Sequence, residues 1–220
     1  LIMALNINGT TGISGVDGSV SAPAVTGTDS NTGITFPSAD TIKFATGGVE
    51  RMAITNSGIT GITSGITLAD QWRITSDFTG GAIPITNNWE RNDNGWSELG
   101  TGFSAPSSGV FSFPSTGYYW IRFQANVYWT SSTPYIAFII QYTSNNSSYN
   151  GVSRVTTNLN NVSGTTYGGA NTDVMLKITD TTNQKIRASC VSYIGNETFS
   201  VNGSSTEHLT GFTFLRMGDI

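Results

Sequence analysis

The chain has 220 residues, long enough for one domain of about 150 residues plus an appendage. Charged residues make up only 11% of it, against about 25% in ordinary globular proteins, and Ser, Thr, Asn and 26 Gly fill the difference. A net charge of −4 with scattered Lys and Arg gives no basic footprint for phosphates, which excludes a nucleic-acid partner. No run approaches the ~20 apolar residues of a spanning helix, so no membrane insertion is expected.

Composition shifts near residue 70. All five tryptophans lie beyond it, and before it the only aromatics are Phe36 and Phe44. Residues 1–69 are too poor in large side chains for an independent core, and intertwining between subunits is the expected source of their stability. The start, Leu1-Ile-Met-Ala-Leu-Asn-Ile, lacks the basic opening of a signal peptide, and from Met3 to Gly15 it resembles the start of phage tail-fibre proteins, which implies Met3 as the natural initiator. Thr41-Ile-Lys-Phe-Ala45 and Val49-Glu-Arg-Met-Ala-Ile54 form a predicted hairpin, because Gly47-Gly48 supplies the positive φ angles of a tight turn. This hairpin, following DSNTGITFPSAD, resembles a module of phage tail-fibre and related virion proteins. Virion attachment of residues 1–57, through other virion proteins, is what that resemblance implies.

Gly58-Ile-Thr-Gly-Ile-Thr-Ser-Gly-Ile-Thr67 repeats with spacings of three and four. Collagen needs strict Gly periodicity with abundant Pro, and a coiled coil needs helix formers, so neither applies. An extended neck over 58–69, with Ile59, Ile62 and Ile66 towards a threefold axis, is the reading set against a flexible linker.

Beyond the neck, short strands are predicted at 83–86, 101–105, 109–113, 117–129, 135–143, 152–158, 173–179, 184–194, 198–202 and 209–217. No segment carries a 3.6-residue period, so the chain is all-β. In 117–129, Tyr119, Ile121, Phe123, Ala125, Val127 and Trp129 share one face, which needs a second sheet to cover it. The other face carries Tyr118, Trp120 and Tyr128, too much aromatic area for a solvated surface, and a partner chain is expected to cover it.

Gly109-x-Phe111-x-x-Pro114-x-x-Gly117-x-Tyr119 resembles the hallmark of the complement-subcomponent globular head, the tumour-necrosis-factor-like jelly roll. The segments 173–180 and 209–215 resemble that family's strand before a hairpin and its closing strand. The resemblance covers roughly residues 70–220. It implies a trimeric jelly-roll β-sandwich that binds ligands, and no catalysis.

Candidate chemistry is sparse. A Ser-His-Asp arrangement would need His208, the single histidine, but no Gly-x-Ser-x-Gly elbow is present, and with Cys190 the single cysteine a zinc site of the usual ligands is not expected. Cys190, flanked on its face by Ile186, Ala188 and Ile194, reads as a buried thiol, with an intermolecular disulfide as the alternative. Paired carboxylates for glycoside cleavage could come from Asp77, Glu90, Asp93, Glu98, Asp173, Asp180, Glu197 and Glu207, but solenoid periodicity is absent. Glu90-Arg-Asn-Asp-Asn-Gly95 has oxygen ligands but lacks the later bidentate Glu of a calcium loop, so no metal and no cofactor are expected. Trp129, Tyr135, Tyr149 and Tyr167, near predicted polar loops, are the candidates for contacting a host cell-surface glycan or protein. For Trp129 and Tyr135, completion of core strands is an equal reading.

The sequence thus points to a homotrimeric bacteriophage fibre or spike in the virion: an attachment region at 1–57, a neck at 58–69 and a receptor-binding jelly-roll head at 70–220. A decoration fibre without a receptor and a polysaccharide depolymerase are the alternatives. Capsid and tail locations both remain open.

Overall fold

A computed structural model describes residues 6–8, 12–14, 17–61, 65–86, 88–95, 97–129, 133–160, 164–192 and 199–220. Met3, Ile62, Trp96, Ile194 and Glu197 lie outside these. The described residues are strands, turns and irregular segments, with no helix among them. The chain divides into two compact units, Leu1–Thr63 and Ser64–Ile220.

In the first unit, β1 (Asn6–Asn8) pairs with β2 (Gly12–Ser14), and β3 (Gly18–Ser19) with β4 (Ala22–Pro23). A five-stranded antiparallel meander follows: β5 (Val25–Thr26), β6 (Gly33–Thr35), β7 (Ile42–Thr46), β8 (Val49–Thr55) and β9 (Gly58–Thr60). The predicted hairpin is β7–β8, and both turn glycines have positive φ, 61° at Gly47 and 74° at Gly48. Only a pair of residues tolerant of left-handed backbone closes so tight a turn. Gly58–Thr60 is the outer strand of this meander and Leu68 opens the next strand, so both ends of the neck read over 58–69 lie in strands.

The second unit holds β10 (Leu68–Ile74), β11 (Phe78–Thr79), β12 (Trp89–Arg91), β13 (Val110–Ser112), β14 (Gly117–Trp129), β15 (Thr133–Thr143), β16 (Asn150–Leu159), β17 (Thr166–Ile178), β18 (Lys185–Ser192), β19 (Phe199–Val201) and β20 (Gly211–Gly218). One sheet runs β11-β19-β14-β20-β10-β12, with β17 on the far edge of β14, and the other runs β13-β18-β15-β16. Leaving aside the short β11, β12 and β19, the main strands alternate between the sheets except at the β15–β16 hairpin, and the first, β10, pairs with the last, β20, as in a jelly roll. The expected fold class, an all-β jelly-roll sandwich, is what the chain adopts.

Alternation on β14 positions the core. Tyr119, Ile121, Phe123, Ala125, Val127 and Trp129 are all buried, facing Ile136, Phe138 and Ile140 of the second sheet. A ring cluster closes one end: Phe103 stacks on Phe214 at 4.0 Å, and Phe111 meets Phe212 edge-on at 5.5 Å. The motif glycines have local reasons. A Cβ on Gly109 (φ 76°) would lie 2.2 Å from the Ile85 carbonyl oxygen, and one on Gly117 (φ 144°) would lie 2.6 Å from the Arg216 Nε.

Several predicted strands are corrected. Residues 83–86 and 101–105 are irregular, yet Ile85 and Phe103 are fully buried, so they plug the sandwich without joining a ladder. The first head strand, β10, went unread because Asp70 and Arg73 make it look polar. Both are buried and paired: Asp70 accepts from Arg91 Nε (3.0 Å), Trp72 Nε1 (3.1 Å) and the Phe103 amide (2.6 Å). Tyr167, expected near a polar loop, lies instead in β17, whose whole length pairs with β14.

Candidate functional site

The outer face of the β14 sheet changes character along its strands. Near one end, a row of non-polar side chains crosses from strand to strand: Leu99 opposite Ala69, Ala69 opposite Leu215, Leu215 opposite Trp120, Trp120 opposite Met175. Met175 is 69% exposed, and Leu99 at the opposite end of the row is exposed too, as are Tyr118 and Met217. The polar groups here are few. Trp120 Nε1 donates to Asp173 (3.2 Å), and the Lys177 ammonium lies 5.8 Å from the Tyr118 ring centre.

The middle of the face is polar and only partly paired: Arg73 Nε, Arg122 Nε and both ring nitrogens of His208 are buried without a hydrogen-bond partner among the described residues. Gln71 Nε2 donates to Thr213 Oγ1 at 3.3 Å, and Gln124 donates to the His208 carbonyl. Arg73, fully buried, donates to Asn92 and Asp93, each at 2.6 Å, and to the Ser205 carbonyl. His208 is held beside Arg73 and Arg122, and burial first, then these two cations, push its pKa down to about 4. A neutral imidazole among guanidiniums is the form the fold selects.

At the other end, Tyr128 and Tyr167 sit directly opposite each other on β14 and β17, ring centres 5.8 Å apart. Tyr128 donates to Asp77 Oδ2 (3.3 Å), and Asn202 Nδ2 donates to Asn126 Oδ1 (2.8 Å) beside it. The sequence placed Tyr128 on a subunit interface and Tyr167 on a receptor surface, yet they form one aromatic pair on one face.

The remaining candidates scatter. Trp129 is 4% exposed and belongs to the core cluster, which leaves it no surface to offer a receptor. Tyr135 is half-buried on β15. Tyr149 is half-buried beneath the Arg187 guanidinium, 3.9 Å from its ring centre, so it is not the free loop aromatic the sequence suggested. Arg187 Nε in turn donates to Gln141 Oε1 (2.9 Å), which also accepts from Ser189 (2.6 Å). Next to them is a shallow groove of about 400 Å³ lined by Ile139, Gln141, Gly151, Val152, Ser153 and Arg154. The turn leading into it is closed by its own side chain: Asn145 Oδ1 accepts from the amides of Ser147 (3.0 Å) and Ser148 (2.9 Å).

The acidic residues weighed for catalysis or calcium are largely engaged. Asp93 and Glu90 lie 2.6 and 3.6 Å from Arg73, and Glu98 lies 3.3 Å from Arg91. Among the described residues, no three His, Cys, Asp or Glu side chains come together as a metal site. Cys190 is fully buried and free, and burial pushes its thiol up to about 12.

The first unit has a distinct surface. On one face of its meander, Val25, Ile34, Phe44 and Met52 are paired in a continuous row. Beside them Ile42, Ile54 and Ile59 form a second row, and Ile59 is 61% exposed. On the opposite face Thr35, Ala45 and Ala53 are buried, with Pro23 packed near Gly33, and beside them lie the half-buried Lys43 and the exposed Thr60. Ile66, outside this unit, is exposed.

No family model matches the chain, and no curated protein matches it. Among solved structures it is similar to Eiger TNF from S. frugiperda, at 11% identity and a TM-score of 0.49, over 71% of this chain and 95% of that one. It is likewise similar to murine APRIL at pH 8.5, at 11% identity and a TM-score of 0.47, over 68% of this chain and 98% of that one. The strand order itself defines the class, a jelly-roll head.

Proposed function

We propose that the chain is a non-enzymatic, homotrimeric fibre or spike protein of a bacteriophage virion, with a jelly-roll head that binds the host surface. The observation that carries self-association is the unbroken apolar row through Ala69, Leu215, Trp120 and Met175 on the outer sheet face. Side chains such as a 69% exposed Met175 and an exposed Leu99 gain about 25 cal/mol per Å² when a sister chain covers them. The Tyr128–Tyr167 pair belongs to the same face and is assigned here to the subunit interface. Three copies rather than two follow from the resemblance of the Gly109–Tyr119 motif to complement-type heads.

The virion role rests on the resemblance of the β7–β8 hairpin to phage fibre modules. Receptor contact is assigned to the 144–149 turn and the groove beside it, whose lining includes the amide of Gln141 and the guanidinium of Arg154. Three such sites on one particle would convert weak binding into avidity. The engaged acidic residues favour binding over glycoside cleavage. Labelled antibody against the chain should decorate phage particles in electron micrographs, and purified trimers should bind host cells. Decorated particles with trimers that ignore the host would make it a decoration fibre. Release of reducing sugar from host capsule would make it a depolymerase.

A further inference from the structure

The meander of the first unit is a single sheet with one closed face and one open apolar face. A lone sheet of this kind has only half a core. We propose that its open face packs against the same face of sister copies, so that Phe44, Met52, Ile54 and Ile59 line the shared interior of a three-walled β assembly. This rests on the trimer reading above.

Three observations select sister copies over a different partner. The two rows carry no charged or hydrogen-bonding side chain, so nothing on them selects a partner by polar chemistry. Their extent is small: at ~4.8 Å between strands and ~7 Å between rows, the face covers roughly 24 by 14 Å, on the order of 350 Å². A stable free-standing interface needs about 800 Å² per partner, so this face is too small to recruit a separate protein from solution. Only the short stretch 61–67 separates the meander from the head. Copies tethered to an associated head meet at high effective concentration, where a small face suffices.

Adjacent residues of β9 test this. Ile59 pairs with Ile54 on the open apolar face, whereas Thr60, also exposed, pairs with Ala53 and points to the opposite side. Ile59→Cys and Thr60→Cys are each made in the full chain and treated with a short bismaleimide. Each maleimide double bond takes up one thiol, forming a carbon–sulfur bond with the thiol proton passing to the neighbouring carbon, so no oxidant is required. Cys190 is fully buried and stays silent. Ile59→Cys should give covalent dimers at least fivefold more abundantly than Thr60→Cys, and should react several-fold more slowly with a bulky monofunctional maleimide. Equal dimer yields and equal labelling rates in a chain that light scattering shows to be trimeric would overturn the inference while leaving the trimer standing. A monomeric mass would remove the trimer reading and the inference together.

Discussion

Phe123 of β14 and Phe212 of β20 meet edge-on at 5.0 Å, both fully buried, at the point where the sheet's central strands face the second layer. Phe138 from that second layer approaches the same ring at 6.0 Å. Phe123→Ala therefore leaves a cavity walled by both sheets and should cost about 3–5 kcal/mol per chain. Urea unfolding measures it, and a loss under about 1 kcal/mol would mean the ring is not in the core.

Asp70 is the sharper electrostatic test. Its buried carboxylate serves Arg91, Trp72 and the Phe103 amide together. Asp70→Ala strips Trp72 Nε1 and the Phe103 amide of their acceptor, leaves Arg91 to Glu98 and the Phe103 carbonyl, and should cost about 3–5 kcal/mol. Asp93→Ala, whose partner Arg73 keeps Asn92 and the Ser205 carbonyl, should cost distinctly less. Equal losses in the two variants would contradict this.

His208 gives a pH signature. Its folded pKa lies near 4, below the usual 6.5, so between these values the unfolded chain binds more protons than the folded one. The associated stability is complete above about pH 6.5 and is lost as pH falls through about 4, on the order of 3 kcal/mol. Denaturant melts at pH 7.5 and 4.5 should show a smaller drop in His208→Gln than in the native chain. Parallel drops would place His208 in a solvated setting.

How much of this was legible in the sequence depended on whether burial leaves a trace in one strand alone. The β14 alternation gave its core face residue by residue, and Gly47-Gly48 gave its turn. Asp70 and Arg73 hid β10, because their partners Arg91, Asn92 and Asp93 come from elsewhere in the chain. Gly168, Gly169 and Asn171 hid the first half of β17, whose strand character comes from pairing with β14. Surface membership was least legible. Tyr128 and Tyr167 are far apart in sequence and become neighbours only through register, and Tyr149 is capped by Arg187 from another strand.

Tyr167, 65% exposed and outside the core cluster, separates folding from association. Tyr167→Glu should leave a monomeric core intact, with unchanged far-ultraviolet circular dichroism, while weakening assembly at least tenfold by placing a charge on an apolar contact. Sedimentation equilibrium over a range of concentrations reads this directly. Unaltered assembly would free Tyr167 for the receptor surface.

The central claim is that the outer β14 face is covered by sister chains. Static light scattering on the purified chain tests it most directly. Three times the 23.3 kDa chain mass is the predicted result, falling towards one chain mass when Met175 and Leu215 are both replaced by Lys. A stable monomer of 23.3 kDa for the native chain would contradict it.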